Sequence, residues 1–300
     1  MYHTPALLTE TIAGLAIKPN GVYVDATFGG GGHTKAILTV LTNEGRLVAF
    51  DQDADAAANL PEDERLLFVA ANFRHLEKYL RVNGINQVNG ILADLGVSSH
   101  QFDTPKRGFS IRFDEQPLDM RMDTNQPITA AHILNTYPEK QLANLFYQYG
   151  ELPQANKIAH AIVQYRQTTA ITRVGQLKTV TAAFAGPPKY QIGFYAQLFQ
   201  ALRIAVNDEL SALCDLLQQS VNLLPSGGRL AIIAYHSAED RLVKNFIKNG
   251  NFDIEPTKDI YGNKQLVFKP VNKKAITPNA AEIAQNNRVR SAKLRVAEKI

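Results

Sequence analysis

The chain has 300 residues, of which 45% are hydrophobic, and a formal net charge of +4. This length suits two domains, or one large domain with an insertion, and the composition provides ample core. The single cysteine, Cys214, excludes a disulfide framework and a metal site built from cysteines. No apolar run reaches roughly 18 residues and no signal peptide is evident, so we expect a cytoplasmic protein without a membrane partner.

The first predicted elements are a helix, a strand, a glycine turn and a second helix. Thr4 and Pro5 form a typical helix start. Apolar residues 21–24 then lead into Asp25-Ala-Thr-Phe-Gly-Gly-Gly-Gly-His33, and residues 34–41 have helical spacing. Glycine adopts the angles of a sharp turn at low cost and lets a ligand approach the open N–H groups of the second helix. The pattern predicts a ligand site, with a flexible loop that binds nothing as the alternative.

The order of residues in the glycine turn distinguishes between nucleotide-binding motifs. A phosphate-binding P-loop ends in Gly-Lys-Ser/Thr, whereas this turn continues as Gly32-His-Thr-Lys35. The dinucleotide fingerprint needs a third glycine or alanine where this chain has Thr34. The pattern Asp25-x-Thr-x-Gly-x-Gly-Gly is closer to the S-adenosylmethionine loop of class I methyltransferases, in which the leading acid faces the amino-acid end of the cofactor.

Strands and helices alternate over the first hundred residues. Strands predicted at 21–26, 46–51, 66–70 and 88–93, with a helix over 75–82, indicate β-α-β units and a parallel sheet. Asp51 ends the second strand, about 20 residues after the glycines, where a doubly wound sheet places the carboxylate that holds ribose hydroxyls. Asp94 ends the fourth strand, beside the cofactor crevice of such a sheet.

Residues 102–198 interrupt this alternation. Helices are predicted at 129–135, 138–148, 154–167 and 172–184, and no buried strand is evident. We expect an inserted, mostly helical substrate-binding domain at 102–198, with structural padding as the alternative. Residues 1–101 and 199–300 would then form a discontinuous methyltransferase domain. Its second part is predicted to contain a long helix over 199–224, a buried strand over 229–235 and final strands at 252–255 and 265–269.

The C-terminal segment carries the excess positive charge. Residues 269–300 contain eight Lys or Arg and two Glu, a balance of +6, which leaves −2 for residues 1–268. We predict that basic side chains of this tail contact RNA phosphates, with a solvated basic helix end as the alternative. The residues concerned are Arg288, Arg290, Lys293 and Arg295.

Several motifs together resemble the bacterial small-subunit rRNA cytosine-N4 methyltransferases, the MraW or RsmH family, over nearly the whole chain. These motifs are Asp25-x-Thr-x-Gly-x-Gly-Gly-His33, Asp94-Leu-Gly-Val-Ser-Ser99, Arg107-Gly-Phe-Ser110, Pro117-Leu-Asp-Met-Arg-Met-Asp123, Phe199-Gln-Ala-Leu-Arg-Ile-Ala-Val-Asn-Asp-Glu-Leu210, Gly227-Gly-Arg-Leu-Ala231, His236-Ser-x-Glu-Asp-Arg241 and Arg288-x-Arg-Ser-Ala-Lys-Leu-Arg295. The resemblance implies a class I, Rossmann-like α/β fold. It also implies transfer of a methyl group from S-adenosylmethionine to N4 of one cytidine in 16S-type rRNA at the decoding centre. The implied partner is 16S rRNA or the small ribosomal subunit, and the oligomeric state stays open, a homodimer included.

The chain departs from the family pattern at three places. Gly193-Phe-Tyr-Ala-Gln197 stands where the family has a His-Pro-Ala segment with basic residues, which leaves that segment's part in RNA contact open. Tyr235-His-Ser-Ala-Glu-Asp240 replaces Phe-His-Ser-Leu-Glu-Asp, and Asn286-Asn-Arg288 replaces Asn-Pro-Arg.

The resemblance assigns roles at the cofactor site. Gly31, Gly32 and His33 would line the methionine end, and Phe73 would pack on the adenine. A solvent-exposed His33 and a Phe73 that only fills the core are the alternatives. The full set of implied cofactor residues is Asp25, Gly31, Gly32, His33, Asp51, Phe73, Asp94 and Gln101.

Asp94 is the predicted catalytic residue. The lone pair of an exocyclic amino group is delocalised into the ring, so a hydrogen-bond acceptor on its N–H is needed to aim it at the methyl carbon. Enzymes that methylate amino nitrogens commonly have Pro-Pro-aromatic after this acid, whereas this chain has Leu-Gly-Val. His236 follows another strand on the same rim and is predicted to organise the site or contact RNA. A hydrolase pair with Ser237 is disfavoured, since adjacent residues on a strand end point apart.

Two further classes of function compete with rRNA methylation. One is a ribosome-assembly factor that keeps the fold without catalysis, and the intact Asp25, Asp51 and Asp94 weigh against it. The other is a DNA amino-methyltransferase, which the missing Pro-Pro-aromatic disfavours.

Overall fold

The structure, a computed structural model, describes residues 5–253, 255–256, 262 and 266–300. The chain divides into two compact units, Met1–Gly96 with Leu210–Ile300, and Val97–Glu209. Thr4, the predicted start of the first helix, lies outside the described residues. None of the helices in the described ranges is long and apolar enough to cross a membrane.

The first unit is built on one sheet. Its strands are β1 (Val22–Asp25), β2 (Arg46–Asp51), β3 (Leu66–Ala70), β4 (Gly90–Asp94), β5 (Arg229–Ala234), β6 (Phe268–Pro270) and β7 (Lys293–Lys299). They lie in the order β3-β2-β1-β4-β5-β7-β6. The first five are parallel, whereas β7 runs antiparallel to both β5 and β6. The predicted α/β class and the parallel sheet are confirmed.

Helices cover the sheet of the first unit and make up most of the second unit. In chain order they are α1 (Leu8–Leu15), α2 (Gly32–Val40), α3 (Leu76–Val82), α4 (Ser99–Asp103), α5 (Ala130–Thr136), α6 (Glu139–Gly150), α7 (Ala155–Arg166), α8 (Val174–Thr181), α9 (Pro188–Asn207), α10 (Glu209–Leu223), α11 (Ser237–Asn249) and α12 (Ala280–Gln285).

Side chains alternate between the two faces of the sheet. Tyr23 of β1 packs with apolar residues of α1 and α2, whereas the adjacent Val24 packs with α3, α10 and α11. Because helices bury both faces of the parallel part of the sheet, strands β1 to β5 are almost entirely apolar, and residues 230–234 of β5 are all buried. Charged groups on β1, β2 and β4 are thereby restricted to the strand ends.

β7 corrects the prediction for the C-terminal segment. The pattern predicts a basic tail there, whereas the structure places this segment between β5 and β6. Leu294 and Val296 are buried in the sheet, and the charged Lys293 and Arg295 alternate with them. The four basic residues between 288 and 295 had concealed the alternation of buried and exposed side chains that is typical of a strand.

The final strands also differ in position. The predicted strand at 265–269 overlaps β6, although Gln265 lies outside the described residues. The strand predicted at 252–255 is not formed, since the described residues 252, 253 and 255 lie in bends and Ile254 is outside the described residues.

The second unit has a helical core of its own. The helices predicted at 129–135, 138–148, 154–167 and 172–184 correspond to α5, α6, α7 and α8. Leu142 and Phe146 of α6, Ile158 and Ile162 of α7 and Leu198 of α9 are fully buried in one cluster. This unit is longer than the predicted insertion because α4 and the whole of α9 belong to it. Substrate binding by it stays a prediction.

The long helix predicted over 199–224 is broken. Asp208 has a left-handed backbone (φ 48°) and separates α9 from α10. The side chain of Asn207, the last residue of α9, donates to the Met120 carbonyl (2.8 Å) and accepts from the Met122 N–H (2.7 Å). The helix therefore ends where a buried asparagine binds the 120–122 loop.

Candidate active site

Three carboxylates end neighbouring strands of the sheet. Asp25 is the last residue of β1, Asp51 of β2 and Asp94 of β4. β2 and β4 pair in parallel with opposite sides of β1, so the three acids lie at one rim. The strand order reverses between β1 and β4, and this is the switch point at which doubly wound sheets bind ligands.

The glycine turn after β1 requires glycine for two different reasons. Gly29 (φ 51°) and Gly31 (φ 74°) have left-handed backbones, and Gly31 precedes the first turn of α2. At Gly32 the reason is space, because an added Cβ would lie 2.1 Å from Cγ of Pro5. The turn and the start of α2 thus form one close-packed structure, unlike the flexible loop that was the alternative interpretation of these residues.

Asp25 anchors the glycine turn from below. It is 1% exposed, and its carboxylate accepts hydrogen bonds from the Thr34 hydroxyl (2.7 Å) and the Thr27 N–H (3.2 Å). Burial raises its pKa to about 6, and these two hydrogen bonds oppose the rise. Asp25 thereby joins the end of β1 to the first turn of α2.

Asp51 braces the same turn from β2. Its Oδ2 accepts from the Gly29 N–H (2.7 Å) and its Oδ1 from the Asp53 N–H (2.9 Å). Burial raises its pKa to about 6, against the effect of these hydrogen bonds. A carboxylate oxygen has two acceptor positions, so each oxygen retains the capacity for a second hydrogen bond, as a ribose diol would supply.

Asp94 is fixed by two hydrogen bonds and lies close to His33. Its N–H donates to the Thr27 hydroxyl (2.6 Å), and its Oδ1 accepts from the Tyr235 hydroxyl (2.8 Å). Its Oδ2 lies 3.7 Å from Nδ1 of His33, and a fifth of the side chain is exposed. Burial raises the pKa of Asp94 to about 6, while His33 and Tyr235 lower it. An acceptor of this kind, fixed but accessible, can receive a hydrogen bond from a ligand.

The contact from Tyr235 was not predicted from the sequence. Tyr235 follows β5, which pairs with β4, so residues more than a hundred positions apart become neighbours. The one signal in the sequence for this contact was that the chain has Tyr235 where the family pattern has phenylalanine.

His33 is buried, which excludes the solvent-exposed alternative. Its Nε2 lies 3.1 Å from the carbonyl oxygen of Ala6. Because a carbonyl only accepts, Nε2 carries the hydrogen in that contact, and Nδ1 is the nitrogen directed at Asp94. The structure thus places His33 between the N-terminal segment and Asp94.

The other predicted site residues are in varied environments. Phe73 begins a short helix after β3 and is half-buried; the neighbouring Asn72 donates to the Gln52 side chain (2.8 Å). Gln101 belongs to the second unit, where its side chain accepts from the Ser98 N–H (3.1 Å) in the cap of α4. A cofactor contact by either residue stays a prediction.

His236 caps α11. The Glu239 N–H approaches its Nδ1 at 3.4 Å, and the Glu239 carboxylate accepts from the His236 N–H (3.3 Å) in return. The same carboxylate also accepts from the Tyr235 N–H (2.8 Å). The His236 side chain is only 6% exposed, so it offers little surface to RNA.

The basic residues at the C-terminal end fall into two groups. Arg295 forms a mostly buried ion pair with Asp240 of α11, with Nε 2.6 Å from Oδ1. Lys293 is more exposed and lies 3.7 Å from the same carboxylate. Arg288 and Arg290 are exposed on a short helix at Asn287–Ser291. The alternative of a solvated basic helix end is wrong for Arg295, which lies in β7.

This sheet order, the glycine turn after β1 and the acids ending β1, β2 and β4 define a class I, Rossmann-like methyltransferase that uses S-adenosylmethionine. The chain belongs to the MraW methylase family, whose model matches residues 1–300. The family resemblance seen in the sequence is thereby confirmed, and with it the cofactor. The open acceptor positions of Asp51 and the glycine turn fit that cofactor's ribose and amino-acid ends.

Curated relatives match along their full length. A ribosomal RNA small subunit methyltransferase H from Flavobacterium johnsoniae is 52% identical over 299 residues, covering 100% of this chain and 98% of the relative. Proteins of the same name from Parabacteroides distasonis (51% over 300 residues; 100% and 98%) and Cytophaga hutchinsonii (53% over 301 residues; 100% of each) are equally similar.

Proposed function

We propose that this enzyme methylates the exocyclic N4 of one cytidine in 16S rRNA near the decoding centre, in the cytoplasm. The names of the relatives support small-subunit rRNA as the substrate. The observation that carries the choice of an amino nitrogen is Asp94, a partly exposed acceptor fixed at the end of β4. The proposed partner is 16S rRNA or the small subunit, bound as a monomer or a homodimer.

Asp94 would accept a hydrogen bond from the N4–H group, and would take up that proton as the nitrogen gains the methyl group. This hydrogen bond localises the nitrogen lone pair and directs it at the methyl carbon, and such positioning accounts for much of the rate of a displacement. S-adenosylmethionine supplies the methyl group on a sulfonium sulfur. The ionised carboxylate is the accepting form, so the chemistry requires a pH above the pKa of Asp94.

The cofactor would lie along the rim formed by the strand ends. Asp51 would accept from the ribose hydroxyls and Phe73 would cover the adenine. Gly31, Gly32, Asp25 and His33 would line the site for the methionine end of the cofactor. Gln101 is retained as a proposed contact from the second unit.

RNA would contact exposed basic side chains. Arg288, Arg290 and Lys293 have the exposure that phosphate contacts need. Arg295 and His236 are mostly occupied within the fold, so we propose that they organise the surface from below. The helical unit Val97–Glu209 is proposed to bind the substrate.

Methylation of carbon 5 is the chemical competitor, because it requires a cysteine thiolate that attacks C6. Cys214 lies in the interior of α10 and is partly buried, an environment typical of a packing residue.

The test is methyl transfer from labelled S-adenosylmethionine to small subunits from cells lacking the gene, with free 16S rRNA and DNA as competing substrates. Digestion and mass spectrometry should identify N4-methylcytidine. Asp94→Asn should abolish transfer, whereas the matched control Cys214→Ser should keep most of it. Detection of 5-methylcytidine, or binding without any transfer, would overturn the proposal.

A further inference from the structure

Tyr235 makes contacts with both α11 and Asp94, the last residue of β4. Its N–H donates to the Glu239 carboxylate (2.8 Å), which ties its backbone to α11. Its ring lies against Gly96, where an added Cβ would be 3.4 Å from the ring. Its hydroxyl reaches Oδ1 of Asp94 at 2.8 Å. Backbone, ring and hydroxyl are therefore all fixed, and the hydroxyl is directed at one oxygen of the catalytic candidate.

The hydroxyl can act only as a donor in this contact. Burial and the neighbouring Asp94 raise the pKa of Tyr235 well above its usual value, so the phenol keeps its proton. Phenylalanine would preserve the ring against Gly96 but would leave Oδ1 of Asp94 without this donor.

We infer that Tyr235 is a positioning residue, which holds Oδ1 of Asp94 so that Oδ2 is the oxygen that accepts the substrate's amino hydrogen. This inference rests on the proposed function, because it needs an amino group as the methyl acceptor. Oδ2 lies 3.7 Å from His33 Nδ1, longer than a hydrogen bond, and a fifth of the Asp94 side chain is exposed, so we take Oδ2 as the oxygen that the ligand reaches.

Several charged groups surround this pair. His33 of α2, Asp25 of β1 and Glu239 of α11 all influence Asp94, and Glu282 of α12 influences Tyr235. The acids raise the pKa of Asp94, whereas His33 and the Tyr235 hydrogen bond lower it. Losing the hydroxyl alone should therefore raise the pKa of Asp94 and shrink its accepting fraction near neutral pH.

The decisive variant is Tyr235→Phe. We expect kcat near pH 6 to fall about tenfold, the usual effect of losing one hydrogen bond to a charged group. The fall should diminish as the pH rises, because the acidic limb of the kcat profile moves to higher pH. KM for S-adenosylmethionine should stay within about twofold. A loss that is uniform across pH, or no loss, would overturn the inference.

A matched control variant separates this role from structural damage. Tyr23→Phe removes another buried hydroxyl, which accepts from the Lys18 N–H at 2.6 Å. Tyr23 pairs with Gly90, at the opposite end of β4 from Asp94, so the pH profile of this variant should match wild type.

A substrate-free measurement separates failure of the inference from failure of the proposed function. Carbon-13 NMR titration of Asp94, assigned with Asp94→Asn, should show a higher pKa in Tyr235→Phe. A raised pKa in an enzyme that does not methylate rRNA would refute only the proposed function, whereas an unchanged pKa would refute the hydroxyl's effect on Asp94.

Discussion

At the scale of single residues, the strand-end acids do two jobs at once. Asp25 and Asp51 each accept hydrogen bonds from within the glycine turn, so a residue assigned to ligand binding also shapes the loop that binds. Substitutions that remove a carboxylate oxygen therefore change both the binding of the ligand and the shape of the loop. An isosteric amide keeps the volume and one acceptor oxygen but replaces the other oxygen with an NH2 donor, so each such variant needs a thermal melt beside its binding measurement.

Asp51→Asn should lower the affinity for S-adenosylmethionine by at least about tenfold, because hydrogen bonds to a charged acceptor contribute roughly 1.5–3 kcal/mol each. Isothermal calorimetry measures the affinity, and a thermal melt of the free protein checks the fold. Asp63→Asn is the control, since Asp63 pairs with Arg65 on the surface. Unchanged affinity in a folded Asp51→Asn protein would place the ribose elsewhere.

Asp94 gives a prediction about stability and pH. Its raised pKa of about 6, against an ordinary value of 3.8, means that the folded state binds the proton more tightly than the unfolded chain. The resulting stability is present below pH 4 and lost as the pH rises to 6. Asp94→Asn buries no charge, so at pH 7 we expect it to be about 1–3 kcal/mol more stable than wild type, with no gain at pH 4.

Urea unfolding at several pH values measures this difference. The control is again Asp63→Asn, because Arg65 holds the pKa of Asp63 below its usual value and loss of that charge should not stabilise the protein. If Asp94→Asn were less stable than wild type at pH 7, burial of the ionised carboxylate would not be what destabilises the folded protein.

At the scale of elements, the C-terminal basic segment is part strand and part surface. Deleting it after Lys274 would remove β7 from between β5 and β6, so truncation cannot test RNA contact separately from folding. Point substitutions can, because the segment contains exposed basic residues, Arg288 and Arg290, and a mostly buried one, Arg295.

Replacing both Arg288 and Arg290 with Gln should leave the melting temperature unchanged and weaken binding to small subunits. The slope of log K against log salt should decrease by about one to two, as two phosphate contacts are lost. Arg295→Gln should do the opposite: it leaves the largely buried Asp240 with the longer ion pair to Lys293, at 3.7 Å, at a cost of up to about 3 kcal/mol, and should barely affect the salt slope. Filter binding at several salt concentrations and calorimetric melts separate the two effects.

At the scale of the whole molecule, the second unit has its own core, and a fragment of residues 97–209 should fold alone. We expect a helical circular dichroism spectrum, one cooperative thermal transition and dispersed amide resonances. A matched fragment with Phe146→Ala should lose about 3–5 kcal/mol and be largely unfolded. A disordered wild-type fragment would mean that this core depends on the rest of the chain.

The sequence predicted the parts of this fold whose signals are local. β1, the glycine turn and α2 follow from residues within twenty positions, and the acids at the strand ends follow from strand polarity alone. β7 was missed because a strand charge that pairs with a neighbouring helix, such as Arg295 with Asp240 of α11, cannot be told from a solvent-exposed charge in the sequence. The Tyr235 contact with Asp94 could not be found because it depends on which strands become neighbours.

The pairing of β4 with β5 has a consequence for the order of folding. Asp94 lies opposite Ile233 in that pair, and the second unit occupies the chain between them. Closing so long a loop is slow, whereas the local contacts of a helical unit form early. The insert should therefore be folded before the two halves of the sheet join, which pulse-labelled hydrogen exchange would show as protection of α6 and α7 ahead of β5. A substitution that slows folding of the second unit would then also delay assembly of the sheet, although this unit contributes no strand to it.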